Sequence, residues 1–518
     1  MAYHYVGGDR DQLFLLSTSM RDWLDEGHLA WFVIDVVAKV DTSAFHARHP
    51  NDGPGRPAYN PDMMLALLFY AYGTGARSSR RIEAACRTDA AYRVICGNVS
   101  PDHATIARFH VEHEAAIAAV FVDVLRLCAA AGLVSVGTIA IDGTKIGADA
   151  ALDANRGAEW IRAEVERILA EAAAADAVEE AEGALFGGDD LPGALSTRTG
   201  RLARLSAALA RIEAEDAAAH VEADERAGKA RAAAAEGRKL RGRKPKDPHA
   251  ALARAEAEET ATRVRAERLA AQRAGRSGQA EGDVAPEAVD ADPNVQRAVA
   301  ATAAARAGAD AAPPAPTQAN ITDADSRIMK TATGWVQGYN AQAAVNENQI
   351  VVAAVVTQDA NDVHQYLPMV AATQTALDAA GITDTIGCVL ADAGYWSDDN
   401  ANANGPDKLI ATLKDYKQRR AARDLGTTTG PPPEGASALD AMEHRLRTAE
   451  GAARYAQRSH TVEPVFGDHK ENRGYRRFRR RGLSAAQSEW ALINMSHNLA
   501  KLFRHHAGIG IGIVVAVT

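Results

Sequence analysis

Three carboxylates stand where rigid elements could bring them together. Asp142 follows the apolar start of the run 138–146, and Asp392 closes the apolar part of the run 386–395. Glu463 lies in a basic region near the end of the chain. Apolar runs of this kind are typical of strands buried on both faces of a sheet, so each aspartate would be held rigidly at a strand end.

A cluster of these three carboxylates predicts metal-dependent chemistry at phosphorus. Their charges repel one another unless a divalent cation lies between them. Two Mg²⁺ ions clamped there, or Mn²⁺ in their place, would activate an attacking oxygen and stabilise a leaving oxygen. We therefore expect Asp142, Asp392 and Glu463 to be metal ligands and catalytic residues. Taken singly, each aspartate also fits an ordinary turn, and Glu463 also fits a partner of a helix dipole.

Pro464 restricts where the helix that carries Glu463 can begin. Proline lacks a backbone donor and clashes with the preceding helical turn, so it is tolerated only in the first turn. The sequence predicts a helix that begins near Thr461, with Thr461 as its N-cap and Glu463 in its first turn. Lys470 would follow two turns later on the same face and meet a phosphate. Asp468 is a rival carboxylate that would point elsewhere.

Basic residues are concentrated in two short segments, although the net charge of the chain is −9. Such segments can bind DNA phosphates even on an acidic protein. The basic segment, residues 470–481, has seven basic residues and one acidic residue. The second stretch, 241–243, reads Arg-Gly-Arg and fits either a minor-groove hook or a flexible basic linker. The DNA-binding candidates in these stretches are Lys470, Arg473, Arg476, Arg477, Arg479, Arg480, Arg241 and Arg243.

The strings around the carboxylates resemble those of bacterial insertion-sequence DDE transposases. Three strings are similar to the branch related to insertion-sequence family eleven-eighty-two, namely Asp142-Gly143-Thr144-Lys145-Ile146, Gly338-Tyr339-Asn340-Ala341-Gln342 and Ala391-Asp392-Ala393-Gly394-Tyr395. The chain also resembles a Tyr-Arg-Glu-Lys signature at Tyr455, Arg458, Glu463 and Lys470. Four residues separate Arg458 from Glu463 where the signature usually has three. The resemblance covers about residues 1–150 and 320–505.

The resemblance implies a DNA transposase that binds terminal inverted repeats and target DNA as a homodimer or a higher homo-oligomer. Mg²⁺-dependent hydrolysis would free a 3′-OH, which would then attack a target phosphodiester. Tyr455, Arg458 and Lys470 would contact DNA phosphates. Two other classes stay open, a nuclease of the same fold without strand transfer and an inactive DNA-binding remnant of a transposase.

The elements that position these residues predict an α/β protein with an RNase H-like catalytic core. In that fold the first strand lies beside the fourth, which would bring Asp142 to Asp392. Five segments are expected: a helical N-terminal DNA-binding region (1–135), the first core strand (136–149), a partly disordered Ala/Glu/Arg-rich helical insertion (150–320), the rest of the core (321–505) and a C-terminal tail (506–518).

Several local patterns leave alternatives open. The N-terminal helices, separated by a glycine turn and rich in exposed arginines, fit either a helix-turn-helix DNA binder or an ordinary helix pair. The apolar stripe from Leu202 to Ile212 fits a helical hairpin, a coiled coil or one helix packed on the core. Residues 301–316 read as a linker, and 436–458 as one helix.

Three local signals predict where elements begin, turn or end. Asn60-Pro61 predicts the start of a helix, the turn 346–348 predicts a hairpin between two strands, and Gly381 predicts the end of the helix that follows. Asp362 follows the second of these strands and fits a supporting or structural residue.

Composition constrains the cellular setting. The four cysteines show neither metal-ligand nor disulfide spacing, which suits a reducing cytoplasm. The histidines, including His469 and His497, show no zinc spacing. No apolar stretch is long enough to span a bilayer. Composition therefore predicts a cytoplasmic protein, and the resemblance implies a bacterial one that joins the nucleoid when bound to DNA.

Overall fold

The computed structural model describes residues 19–47, 58–182, 198–240, 245, 247–276, 286–311, 317–331, 333–413 and 426–509. The chain divides into two compact units. One unit combines Met1–Ala154 with Asp325–Thr518, and the other is Asn155–Ala324. No helix in the described part of the chain is both long and apolar enough to cross a membrane.

The N-terminal part of the first unit is helical. Its helices are α1 (Leu29–Val37), α2 (Ser43–His46), α3 (Pro61–Gly73), α4 (Ser79–Thr88), α5 (Ala90–Ile95), α6 (His103–Glu112) and α7 (Glu114–Ala130). The predicted start of α3 is confirmed, because the Asn60 side chain accepts a hydrogen bond from the Asp62 amide at 2.8 Å and Pro61 is the first helical residue. Most of α3 is buried, whereas α4 exposes arginines on its solvent side.

Within the described residues, the strands form a six-stranded mixed sheet and a separate two-stranded one. They are β1 (Thr138–Gly147), β2 (Asn155–Gly157), β3 (Gln318–Asn320), β4 (Arg327–Thr331), β5 (Gly334–Asn346), β6 (Val351–Thr357), β7 (Cys388–Ala391) and β8 (Asp407–Ile410). The large sheet has the order β4-β5-β1-β7-β8, with β6 also paired to β5. Strand β5 is antiparallel to β1 and β6, while β7 is parallel to β1 and β8.

Two predictions for this sheet are confirmed and one element was not foreseen. Strands β5 and β6 form the expected hairpin, whose turn is fixed by the Asn346 carboxamide oxygen accepting from the Ile350 amide at 2.9 Å. The helix after β6, α13 (Tyr366–Ala379), ends where predicted, at Gly381 with a φ of +76°. Strand β4 had no counterpart among the expectations.

The helices that follow β7 in the chain differ from the prediction. They are α14 (Asp398–Asn402), α15 (Ala438–Arg447), α16 (Ala449–Ala456), α17 (Arg458–Gly467), a π-helical turn (Asp468–Asn472) and α18 (Leu483–Ile509). The prediction of one helix over 436–458 is wrong. Thr448 is extended, and its hydroxyl accepts a hydrogen bond from the Gly451 amide at 3.0 Å, so a new helix starts there. Helix α18 was not foreseen, and it anchors to the sheet through Trp490 Nε1, which donates to the Gln342 carbonyl at 2.9 Å.

The second unit is a set of long helices closed by a short strand pair. The helices are α8 (Ala158–Glu182), α9 (Arg198–Ala235), α10 (Pro248–Arg276), α11 (Pro286–Asp290) and α12 (Pro293–Ala311). Buried residues of α8 and α9 pack together as a helical hairpin, namely Ile161, Ile168, Leu205 and Ile212. The predicted linker is wrong for residues 301–311, which belong to α12, and 312–316 lie outside the described residues. Strands β2 and β3 pair antiparallel, with Asn155 opposite Asn320.

Candidate functional site

Asp142 and Asp392 directly follow the last paired residues of the neighbouring parallel strands β1 and β7. Asp392 comes after the end of β7. Asp142 lies inside β1, which continues to Gly147 beside β5, so the prediction of a strand end is wrong for Asp142. In the register of β1 with β7, Ile141 is the partner of Ala391, so the two aspartates follow paired residues. Burial raises the pKa of Asp142 to about 7; Arg458 opposes this shift, and the nearby Asp392 adds to it. The carboxylates are therefore close enough to repel each other, and a cation between them would relieve that repulsion.

A third aspartate, Asp362, extends this acidic cluster. Its Oδ1 accepts hydrogen bonds from Asn340 Nδ2 at 2.7 Å and Gln342 Nε2 at 2.8 Å, and Lys145 Nζ lies 3.2 Å away. The sequence left Asp362 as a supporting or structural residue, and its amide partners were not foreseen. A signal was present, since two amides with period-two spacing are unusual within a strand buried on both faces.

Close packing at this cluster explains the glycine after Asp142. Gly143 is the register partner of Gln342 on β5. A Cβ at position 143 would clash with the side chains of Gln342 and Asp362 and would lie 2.9 Å from Asn340 Oδ1. Any larger residue would push the amide pair away from Asp362.

Arg458 joins two of the predicted metal ligands. Its Nη2 lies 2.6 Å from Asp142 Oδ2, and its Nη1 lies 3.0 Å from Glu463 Oε1. The Arg458 side chain is 11% exposed, whereas that of Glu463 is 55% exposed. The guanidinium thus bridges a buried and an exposed carboxylate. Among the described residues, the carboxylates of Asp142, Asp392 and Glu463 do not come within 4.8 Å of one another as a group.

The helix that carries Glu463 begins earlier than predicted. Helix α17 starts at Arg458, and the Thr461 hydroxyl donates to the Gln457 carbonyl at 2.6 Å instead of capping the helix. Pro464 therefore lies inside the helix and cannot donate to the His460 carbonyl four residues before it.

A side chain from the β5–β6 turn satisfies that carbonyl. Gln349 Nε2 donates to the His460 oxygen at 2.8 Å, so the group that Pro464 leaves unpaired is used to attach α17 to the sheet. The prediction that Thr461 is the N-cap was wrong because it allowed proline only in the first helical turn.

Lys470 lies in the π-helical turn after α17. Burial lowers its pKa, and so does the positive charge of Arg476, while the negative charge of Asp142 raises it. Lys470 is therefore within electrostatic reach of the acidic cluster, as its predicted role beside a phosphate requires.

The basic segment is tied down by ion pairs rather than fully free. Arg473 is bound to Asp468 at 2.8 Å with its side chain 8% exposed, Arg476 to Glu471 at 2.5 Å, and Arg480 to Glu114. The remaining two DNA-binding candidates of the segment, Arg477 and Arg479, are exposed. Tyr455 is half-buried and packs on the core. Arg241 and Arg243 lie outside the described residues.

Arg77, from the loop between α3 and α4, holds the basic segment in place. It donates to the Arg477 carbonyl at 2.6 Å and to the Gly474 carbonyl at 3.0 Å. Its guanidinium also lies 4.5 Å from the centre of the Tyr475 ring and 3.4 Å from the buried Glu489 carboxylate. The N-terminal helices thus position the backbone that presents Arg477 and Arg479.

A different group of side chains has the geometry of a metal site. Asp468, His469 and His497 each offer a ligand atom within 4.8 Å of the other two, and this is the one such group of three within the described ranges. The sequence did not reveal this site, because no zinc spacing links its residues. His497 comes from α18, whereas Asp468 and His469 come from the π-helical turn.

Two family models match parts of the chain. A model described as Transposase domain (DUF772) matches residues 18–112. A model described as Transposase DDE domain matches residues 418–503, which include Arg458, Glu463 and Lys470. Together they support an insertion-sequence DDE transposase, an enzyme class that depends on divalent metal ions and acts on DNA. No curated protein matches the chain, and no solved structure matches it.

The acidic cluster fits the ions that this class uses. Mg²⁺ prefers carboxylate oxygens and binds through one or two of them while keeping several waters. Asp142 has a raised pKa because its charge is buried beside other carboxylates, which is the environment that a bound dication would stabilise.

Proposed function

We propose that this protein is the DNA transposase of a bacterial insertion sequence, which binds terminal inverted repeats and catalyses Mg²⁺-dependent phosphodiester hydrolysis and strand transfer. Asp142, Asp392 and Glu463 would be its catalytic and metal-binding residues. The observation that carries this proposal is that Asp142 and Asp392 directly follow paired residues of two neighbouring parallel strands, with Glu463 linked to Asp142 through Arg458.

The proposal includes an RNase H-like core. Its support is the strand order β6-β5-β1-β7-β8, with an antiparallel half followed by a parallel half. We further propose the division stated from sequence, with a helical DNA-binding region, a core interrupted by a helical insertion, and a C-terminal tail. The enzyme would act as a homodimer or higher homo-oligomer on paired DNA ends.

The residues of the chain have distinct parts in this reaction. When bound, two Mg²⁺ ions (or Mn²⁺) supply Lewis-acid activation of the attacking oxygen and stabilisation of the leaving oxygen. Asp142 and Asp392 would hold their carboxylates on two adjacent central strands of the sheet. Asp362 would support this site through its hydrogen bonds with Asn340 and Gln342. Once Arg458 is released from the carboxylates, its guanidinium can bind a DNA phosphate together with Lys470.

Contacts further from the cleaved bond would come from the exposed part of the basic segment. Arg477 and Arg479 face solvent, and Arg476 is bound only to the exposed Glu471, an ion pair worth little in water. These arginines can exchange their partners for DNA phosphates at low cost. Arg473 and Arg480 are more buried, so we assign them the support of the segment rather than direct contact.

A cleavage and joining assay tests this function. The substrate is a DNA fragment with the flanks of the gene, incubated with Mg²⁺ and the wild type, Asp142→Asn or Glu463→Gln. Glu450→Gln is a matched control, because Glu450 is 82% exposed on the preceding helix. Metal-dependent cuts at the element ends with joined products, lost in both site variants and kept in the control, support transposition.

Other outcomes separate the alternatives. Cuts that never lead to joined DNA favour a nuclease of the same fold. Binding to the ends without any cutting favours an inactive DNA-binding remnant. Equal activity in the wild type and in Asp142→Asn contradicts the assignment of the catalytic residues.

A further inference from the structure

Two buried histidines and a carboxylate converge away from the acidic cluster. Asp468 and His469 open the π-helical turn, and His497 faces them from α18. His469 is 1% exposed and His497 is 4% exposed. Imidazoles this deeply buried need a partner for each polar nitrogen.

The protonated nitrogen of His497 is fixed by its neighbour. His497 Nε2 lies 2.9 Å from the Gln349 carbonyl oxygen, which can only accept, so Nε2 must carry the proton. In the neutral ring, Nδ1 is then a lone pair. That lone pair faces Asp468 Oδ2 at 3.5 Å, which is an acceptor as well.

The same reasoning applies to His469. Its Nε2 lies 3.1 Å from Asn494 Oδ1, and Asn494 Nδ2 donates to the Trp490 carbonyl at 2.7 Å, which fixes the orientation of the amide. Nε2 therefore donates and Nδ1 is a lone pair.

Two imidazole lone pairs thus meet a carboxylate oxygen whose partner is the Arg473 guanidinium. Among the described residues, His469 Nδ1, His497 Nδ1 and Asp468 Oδ2 are buried and have no partner that meets hydrogen-bond geometry. Two imidazole nitrogens and one carboxylate oxygen are a common ligand set for Zn²⁺, with a fourth position for water. Each histidine also donates its other N–H to an oxygen, as histidine ligands of metals usually do.

We propose that Asp468, His469 and His497 bind a transition-metal ion of the Zn²⁺ class. The ion would join the π-helical turn to α18 and thereby fix the start of the basic segment. Nitrogen ligands distinguish this site from the all-oxygen acidic cluster, which suits Mg²⁺.

Arg473 would compete with this ion for the Asp468 carboxylate. Its Nε lies 2.8 Å from Asp468 Oδ2 and pairs with it by charge, without a hydrogen bond. Metal binding would therefore displace the Arg473 guanidinium from the carboxylate.

Zn²⁺ titration of the EDTA-treated full-length protein tests the site. We expect one Zn²⁺ per chain by calorimetry in the presence of excess Mg²⁺, and its loss in His469→Gln and in His497→Gln. His110→Gln is the matched control, since His110 is also buried but lies on α6. The double variant Asp142→Asn/Asp392→Asn should keep the Zn²⁺ site. Circular dichroism in EDTA verifies that each variant is folded.

If the histidine variants do not fold, two further variants, Asp468→Asn and Arg473→Gln, still test the proposal. Asp468→Asn removes the anionic ligand and should weaken Zn²⁺ binding by about tenfold or more, whereas Arg473→Gln removes the adjacent positive charge and should strengthen it by about tenfold. A wild type that binds no Zn²⁺ overturns the proposal, and so does unchanged affinity in Asp468→Asn.

Discussion

Asp142 occupies a position that disfavours its own charge. Its side chain is 17% exposed, its pKa is raised to about 7 by burial, and its only cationic contact at hydrogen-bond distance among the described residues is Arg458. Because the pKa in the folded state exceeds the ordinary value of 3.8, the folded state binds more protons between these two values. Stability therefore falls as the pH rises through this window.

Asp142→Asn should stabilise the metal-free protein at pH 8. The amide removes a buried charge, so we expect the Tm in EDTA to rise by about 2 °C or more at pH 8 and to stay unchanged near pH 5, where Asp142 is already neutral. Asp102→Asn is a control of opposite sign, because hydrogen bonds from the Thr105 amide and hydroxyl lower the pKa of Asp102, so this change should not raise the Tm at either pH. The same Tm gain at both pH values would contradict this account.

Arg458→Gln should make the protein more dependent on a divalent cation. The change removes the guanidinium that bridges Asp142 and Glu463, so the metal-free Tm at pH 8 should fall by about 2 °C or more. The rise in Tm on adding Mg²⁺ should then exceed that of the wild type. Arg454→Gln is the control, since Arg454 contacts Glu450 and Asp407 instead. A smaller Mg²⁺ effect in Arg458→Gln would show that Arg458 helps to bind the ion.

At the scale of elements, α17 depends on the β5–β6 turn. Pro464 removes one backbone hydrogen bond of the helix, and Gln349 reaches across to use the freed His460 carbonyl. A helix with an interior proline is thus stabilised by a tertiary contact, which also sets the distance of Glu463 from the sheet.

A double-mutant cycle measures this contact. Gln349→Ala should lower the free energy of unfolding by about 1–3 kcal/mol, because it leaves a carbonyl unpaired. In a Pro464→Ala background the new amide can donate to His460, so the cost should shrink by about 1 kcal/mol. Asn348→Ala, which contacts the Leu133 carbonyl and not α17, should cost the same in both backgrounds. Additive costs for Gln349 and Pro464 in urea unfolding would exclude the coupling.

At the scale of the whole molecule, the second unit (Asn155–Ala324) has hydrophobic clusters of its own. Its first and last strands pair, with Asn155 opposite Asn320. Paired antiparallel residues have Cα atoms roughly 5 Å apart, so the two ends of this unit lie close together.

Replacing residues 155–324 by a short Gly/Ser linker should leave the first unit folded. We expect one cooperative thermal transition within about 5 °C of the wild type, since only a short loop has to be closed. A control deletion of 158–311 that keeps the β2–β3 pair tests whether the strand pair matters. A deletion variant without a cooperative transition would mean that the core needs the insertion to fold. The cleavage assay then measures whether catalysis needs it.

Local sequence determined much of the framework. Asn60-Pro61 starts α3 and Gly381 ends α13, because cap side chains and left-handed glycine act over a few residues. The apolar runs before Asp142 and Asp392 predicted the central strands, since such runs are typical of strands buried on both faces. These features could be predicted because their causes lie within one element.

The tertiary structure decided what depends on distant residues. It moved the start of α17 to Arg458, because Gln349 satisfies the carbonyl that Pro464 leaves free. It also joined Asp468 and His469 to His497, which follows 28 positions after His469 on another helix. No spacing rule covers such pairs, because side chains from different elements meet only after the sheet and α18 have packed. For the same reason the sequence could suggest three catalytic carboxylates, but only packing gave Arg458 the position that bridges two of them.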